Sequence, residues 1–196
     1  MALLDVKDLS IHFGGVKAVQ NVSFSIDAGI VYAVIGPNGA GKTTLFNLIT
    51  GVYKPTSGEI KLDGEAIHGK SPNELATRGV ARTFQNLQIC MNMSAIENVM
   101  VGAHLRLDRN LIKAALRLPT LRKRDAEARA EAAELMRFVG LDAFIDSRAD
   151  AMPYGALKRL EIARALAMKP RLIFLDEPAA GLNPKETIDV DHLVRK

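Results

Sequence analysis

The chain has 196 residues, 48% hydrophobic and 24% charged, with a formal net charge of +4. That is an ordinary globular composition, long enough for one domain with a subdomain and a sizeable core. The single cysteine, Cys90, excludes an internal disulfide and points to an intracellular setting, while Met1-Ala2-Leu3-Leu4-Asp5 lacks the pattern of a secretory leader. No apolar run approaches ~18 residues, so no membrane span is expected. The mild basic excess suits a nucleic acid, an anionic surface or nucleotide phosphates without choosing among them.

Leu3 to Phe13 alternates imperfectly and predicts a strand, Gly14-Gly15 a turn, and Ala18 to Ile26 the hairpin partner. The apolar run Ile30 to Ile35 predicts a short buried strand. It leads into Gly36-Pro37-Asn38-Gly39-Ala40-Gly41-Lys42-Thr43, which fits G-x-x-x-x-G-K-S/T, and Thr44 to Thr50 predicts the helix behind it. Strand, glycine loop and helix put several backbone N–H groups around one anion, and the helix N-terminus adds partial positive charge. Lys42 is then expected to reach the β- and γ-phosphates of a nucleotide, and the Thr43 hydroxyl to hold Mg²⁺.

Further on, Glu59 to Leu62 predicts a short strand and Asp63-Gly64 a hairpin turn. Ser71-Pro72-Asn73-Glu74 carries a capping box with proline at the first helical position, and Val80 to Phe84 predicts another strand. Ser94-Ala95-Ile96-Glu97 is a second capping box, and from there to about residue 146 the pattern is helical. Arg122 to Val139 is a strongly helical stretch of Ala, Glu and Arg. Arg106, Arg109, Lys113, Arg117, Arg122, Lys123 and Arg124 make this segment basic, either as a solvated surface or as a docking face. Ala156 to Met168 predicts an amphipathic helix with Leu157, Leu160, Ala163 and Leu166 on one face and Lys158, Arg159 and Glu161 turned elsewhere. Leu172 to Leu175 predicts a second buried strand ending at Asp176-Glu177, and Asn183-Pro184-Lys185-Glu186 starts a last helix.

In phosphate-loop proteins a carboxylate at the tip of a neighbouring strand completes the Mg²⁺ shell, and Asp176 suits that role. Glu177, one position later, suits a base for an attacking water. Gln85 follows the strand Val80–Phe84 and is either a ligand of Mg²⁺ or the lytic water, or a plain polar loop residue. Phe13 is either an adenine-stacking ring or a core aromatic. His12, His68, His104 and His192 stand singly, without metal-ligand spacing.

Together these residues resemble the nucleotide-binding subunit of an ABC transporter, over almost the whole chain. The matching pieces run in family order: Phe13 as the aromatic A-loop residue, Walker A from Gly36 to Thr43 with Thr44, Gln85 as the Q-loop glutamine, a helical subdomain, a signature region at Tyr154-Gly155, Walker B from Leu172 to Asp176 with Glu177, and a D-loop at Ala180-Gly181-Leu182-Asn183. The wording from Arg159 to Leu166 and from Asp176 to Pro184 is similar to the ATP-binding subunits of branched-chain amino acid importers.

The resemblance implies an α/β fold: a P-loop NTPase core, a mixed sheet with flanking helices, plus an antiparallel β subdomain and an inserted helical subdomain. Residues 1–86 would hold the β subdomain and P-loop part, 87–150 the helical subdomain, and 151–196 the signature helix, Walker B strand and D-loop. It implies ATP and Mg²⁺ as ligands, hydrolysis of ATP, and head-to-tail pairing with a second ATP-binding subunit. Transmembrane permease subunits and, indirectly, a solute-binding protein are the implied partners, with no nucleic acid. The implied location is cytoplasmic, on the inner face of the cell membrane through the permease. An alternative is a soluble ABC ATPase outside transport, or a cassette that binds ATP but turns it over weakly.

Three departures stand out. Met152-Pro153-Tyr154-Gly155-Ala156 replaces the family's Leu-Ser-Gly-Gly-Gln and lacks its serine and glutamine. Asn183 stands where many members have aspartate. The sequence stops at Lys196, before the family's switch histidine, which leads to the expectation of a truncated cassette.

Overall fold

The computed structural model describes residues 2–105 and 119–195. Two compact units emerge, Met1–Val80 and Ala81–Lys196.

The first unit is built on an antiparallel sheet. Strands β1 (Ala2–Phe13), β2 (Val16–Asp27), β3 (Ser57–Leu62) and β4 (Glu65–Ala66) lie in the order β2-β1-β3-β4. The imperfect alternation of β1 has a cause in its pairing. Its register with β2 shifts between Val6 and Leu9, and Asp8 takes a left-handed φ of 47° there. The slip changes which face the later side chains occupy, so Leu4 and Val6 are buried before it and Leu9 and Ile11 after it. Ser23 anchors the slip, donating its hydroxyl to the Asp8 carboxylate and accepting from the Asp8 N–H. The Asp63-Gly64 turn closes β3 onto β4 with both residues at positive φ, as a type I′ hairpin requires.

Helix α1 (Lys42–Ile49) packs against β2 and buries Leu45, Leu48 and Ile49. Helix α2 (Pro72–Thr77) starts at the expected Ser71 capping box. One expectation is corrected here. Ile30 to Ile35 forms no strand, and Ile30, Val31, Tyr32 and Ile35 are exposed, Ile35 at 91%. An apolar run becomes a buried strand only when other strands pair with both its edges, and residues 30–35 carry no ladder among the described residues.

The second unit is helical around a short pair of strands, β5 (Val80–Arg82) and β6 (Leu172–Phe174). Thr83 N–H extends that pairing to the Phe174 carbonyl at 2.9 Å. Helix α3 (Ala95–Gly102), capped by the Ser94–Glu97 box, packs against α4 (Pro119–Phe138) and α5 (Tyr154–Leu166). Ile96, Val99, Met136, Leu141 and Leu160 form its nearly water-free centre, each at most 1% exposed. Helix α6 (Pro184–Val194) begins at Asn183, whose side chain and Glu186 form a third capping box. Of the basic run, Arg106, Arg109, Lys113 and Arg117 lie outside the described residues, as do the side chains of Arg122 and Lys123. Among the described residues no helix is long and apolar enough to cross a membrane.

Candidate functional site

In the first unit the phosphate-loop residues form an open, exposed loop. Gly39 and Gly41 sit at φ 82° and 86°. At Gly41 glycine is required twice over: by the left-handed backbone, and because a Cβ would lie 2.6 Å from the Ala18 carbonyl of β2. This contact fixes the start of α1 against the sheet. Helix α1 opens with no side-chain cap and no acidic residue in its first turn. Its first amides are therefore not shielded by a side chain, and the end of its dipole meets no negative charge. Lys42 Nζ donates to the carbonyls of Gly36 at 2.7 Å and Pro37 at 2.9 Å. The ammonium is thus folded over its own loop, where a polyphosphate has the charge to draw it away. Thr43 is exposed at the same helix start. A loop of left-handed glycines, an uncapped helix start, a half-buried ammonium and an exposed hydroxyl fit a nucleotide phosphate with its cation.

Phe13 ends β1 and is 46% exposed, so the core-aromatic alternative falls. Tyr53 meets it edge to face at 5.3 Å between ring centroids. The pair makes an exposed aromatic ledge, and Tyr53 is a residue that sequence reasoning missed.

In the second unit the remaining candidates converge. Asp176 follows β6 and is nearly buried. Its carboxylate accepts from Arg82 Nη2 at 2.9 Å, and its backbone N–H donates to the Thr83 hydroxyl at 3.3 Å. Glu177 is held at φ 47°, a backbone region that costs a non-glycine residue of order 1–3 kcal/mol and recurs at functional positions. In that conformation its carboxylate accepts from Gln85 Nε2 at 3.2 Å. The structure therefore brings Gln85, Asp176 and Glu177 to one place, although 92 residues separate the first from the last.

Main-chain atoms of residues 84–88 are held from α5 by a charged row. Lys158 Nζ donates to the Gln85 carbonyl at 3.1 Å, Glu161 accepts from the Phe84 N–H at 3.3 Å, and Arg164 donates to the Gln88 carbonyl. Lys158 and Glu161, expected to turn away from the apolar face of this helix, are buried nonetheless, at 3% and 6% exposure. The polar main chain of 84–88 needs partners, and these charges supply them. Burial pushes the Glu161 carboxyl above its ordinary range, against the opposing pull of the Phe84 amide and Lys158. Their spacing, residues 158, 161 and 164, was the available signal: charges three apart share a helix face. Arg82 and Thr83 carried no comparable signal, because their partner lies over ninety positions downstream.

The signature residues Tyr154 and Gly155 begin α5, behind the N-cap Pro153. The Tyr154 ring lies over Gly181, at φ 76°, where a Cβ would come within 3.1 Å of the ring. Gly155 lies against the Glu186 carboxylate, which a Cβ would strike. An acid thus stands at the start of this helix in the single chain. Among the described residues no cluster of three or more histidine, cysteine or acidic residues forms a metal site by itself.

A protein-family model described as "ABC transporter" matches residues 19–180. The chain is 45% identical over 99% of its length to the high-affinity branched-chain amino acid transport ATP-binding protein BraF of Pseudomonas aeruginosa, of which it covers 76%. It is 43% identical over 98% of its length to LivG, the protein of the same description in Escherichia coli, covering 75% of it. Among solved structures it superposes on a nucleotide-free ATP-binding cassette from an ABC transporter with TM-score 0.83 at 33% identity, covering all of this chain and 76% of that one. An ADP conformation of such a cassette gives TM-score 0.83 at 32% identity, with the same coverage.

Proposed function

The chain belongs to the ABC transporter family, in its ATP-binding, ATP-hydrolysing part, and from that premise we propose that it energises import of branched-chain amino acids by binding and hydrolysing Mg²⁺-ATP. The observation that carries the catalytic reading is the Glu177 carboxylate, held in a strained backbone conformation and hydrogen-bonded to Gln85 immediately after the nearly buried Asp176.

The roles follow from the chemistry of each group. The loop Gly36-Pro37-Asn38-Gly39-Ala40-Gly41 and the start of α1, with Lys42, Thr43 and Thr44, bind the phosphates through main-chain N–H groups and one ammonium. Phe13, with Tyr53 at its edge, offers a ring for the adenine. Thr43, Gln85 and Asp176 are the candidate holders of Mg²⁺, which when bound supplies neutralising charge at the phosphate oxygens. Glu177 takes the proton of the attacking water, and Gln85 orients that water or the carboxylate. The water oxygen bonds to the γ-phosphorus as the bond to the ADP oxygen breaks, and the protein contributes position and charge rather than covalent chemistry.

Tyr154 and Gly155, at the start of α5, are the residues we assign to the nucleotide held by a second ATP-binding subunit. The Glu186 carboxylate against Gly155 opposes a phosphate there, so pairing requires Glu186 to swing aside. The further partners we propose are transmembrane permease subunits and, through them, a solute-binding protein, which places the chain on the cytoplasmic face of the cell membrane.

Two measurements test this reading. Purified chain is incubated with Mg²⁺-ATP and phosphate release is followed, with Glu177→Gln as the inactive control. In the organism that carries the chain, deletion of its gene is expected to lower uptake of radiolabelled leucine, isoleucine and valine, with recovery on reintroduction. Unchanged uptake would remove the transport assignment, and release unaffected by Glu177→Gln would remove the catalytic one.

A further inference from the structure

Asp176 is held by a group that the proposed roles do not use. Arg82 lies at the end of β5, and its guanidinium donates to Asp176 Oδ2 at 2.9 Å. The two side chains are 8% and 11% exposed, so this pair is shielded from water on nearly all sides. The guanidinium also stands 5.3 Å from the centre of the Phe84 ring, and the Thr83 hydroxyl accepts from the Asp176 main-chain N–H. Arg82 and Thr83 therefore both hold the acid assigned to Mg²⁺, and Phe84 lies against the guanidinium.

Resting on the nucleotide reading above, we infer that Arg82 competes with the divalent cation for Asp176, so that the site takes its metal only together with nucleotide phosphate. A carboxylate this far from water needs a compensating positive charge beside it, and Arg82 supplies one. Oxygen Oδ2 already accepts a charged hydrogen bond, which withdraws the electron density a hard cation requires. A divalent ion arriving alone would add two positive charges to a neutral pair and meet the guanidinium as a like charge. Arriving with a polyphosphate, the same ion brings its own compensation. Arg82 is on this account a positioning residue. It orients the Asp176 carboxylate and sets a threshold against bare metal.

The experiment is an electron paramagnetic resonance titration of the whole chain with Mn²⁺, with and without ATP. Wild type, Arg82→Gln, Arg82→Lys and Asp176→Asn are compared, each checked for folding by circular dichroism and melting. Arg82→Gln is expected to bind Mn²⁺ about ten-fold more tightly without nucleotide, the scale of one charged hydrogen bond. Its gain in the presence of ATP is expected to be smaller, and its ATP affinity in EDTA unchanged. Arg82→Lys keeps the buried charge but loses the planar fork, and is expected to tighten Mn²⁺ by about three-fold. Should Arg82→Gln fail to fold, Arg82→Lys decides alone. Unchanged or weaker Mn²⁺ binding in the folded variant overturns the inference. Asp176→Asn separates the two levels. If it leaves Mn²⁺ binding intact, the assignment of Asp176 to the metal falls; if it removes binding while the Arg82 variants match wild type, only the role of Arg82 falls.

Discussion

The buried ammonium of Lys158 donates to the main-chain carbonyl of Gln85, 73 residues earlier in the chain, at 3.1 Å. This bond ties the segment carrying the glutamine to the helix that begins at Tyr154 and Gly155. The same ammonium stands 5.9 Å from the centre of the Tyr154 ring, so it touches both ends of that connection. Lys158→Met keeps the aliphatic stem and removes the charge. It leaves the Gln85 carbonyl without this donor and removes a positive charge that acts on Glu161. The expected loss of stability is about 1–3 kcal/mol by urea unfolding, the scale for a charged hydrogen bond at a buried position. Turnover is expected to fall more than ATP affinity, because Gln85 is displaced while the phosphate loop is untouched. Lys158→Arg should restore most of both, and a variant with unaltered turnover would show that the tether does not position Gln85.

Much of this architecture was legible beforehand, and the reasons differ from piece to piece. The capping boxes at Ser71 and Ser94 and the helix start at Asn183 are local devices: the signal and the structure lie within four residues, and all three helices begin there, the last also with a capping box. The phosphate loop is equally local, since left-handed glycines and a following helix need little from elsewhere. The run Ile30 to Ile35 was misread because its state depends on partners beside it, which an apolar pattern does not specify. Lys158 and Glu161 were read only as turned away from the apolar face of their helix. Their burial answers the needs of the main chain at Phe84 and Gln85. Arg82 was invisible for the same reason in stronger form, because its meaning resides in Asp176.

Lys42→Ala separates binding from folding. Its ammonium is bonded to two carbonyls of its own exposed loop, so removing it costs the fold little. It removes the one side-chain charge expected at the β- and γ-phosphates. ATP affinity, measured by calorimetry, should fall at least about ten-fold, while the melting temperature without nucleotide stays within a degree or two of wild type. An unchanged affinity would refute the phosphate assignment.

Glu177→Gln keeps the size of the side chain and the strained backbone position, and its amide oxygen still accepts from Gln85. It cannot take a proton from water at neutral pH. ATP binding should therefore persist and phosphate release fall by about 10² or more, the range for loss of a general base. Glu177→Gly provides a contrast, because glycine relieves the φ of 47°. It should be equally inactive, yet melt at a higher temperature because the backbone strain is relieved. A lower melting point would show that the Gln85 contact outweighs the strain.

Glu161 gives a prediction in pH. Burial holds its carboxyl above the ordinary range, and the Phe84 amide, Lys158 and the Gln88 amide only partly offset this. The folded chain therefore keeps a proton on Glu161 at a pH where the unfolded chain has already released it. Within that window the folded state binds more protons, so the contribution of this residue to stability declines as pH rises from the usual carboxylate value through the raised one. The depressed carboxyls of the capping boxes, Glu74 and Glu97, act with the opposite sign, losing their stabilising effect as pH falls. Those residues are common to wild type and to Glu161→Gln, so they cancel in the difference. The variant keeps an oxygen for the Phe84 N–H and cannot ionise. Its melting temperature relative to wild type should therefore be lowest near pH 4 and climb toward pH 8, with most of the change just above the ordinary carboxylate range. A difference that is flat across this series would mean that Glu161 titrates alike in the folded and unfolded chains. A difference that falls with pH would mean that Lys158 and Arg164 hold the carboxylate ionised more strongly than burial opposes it.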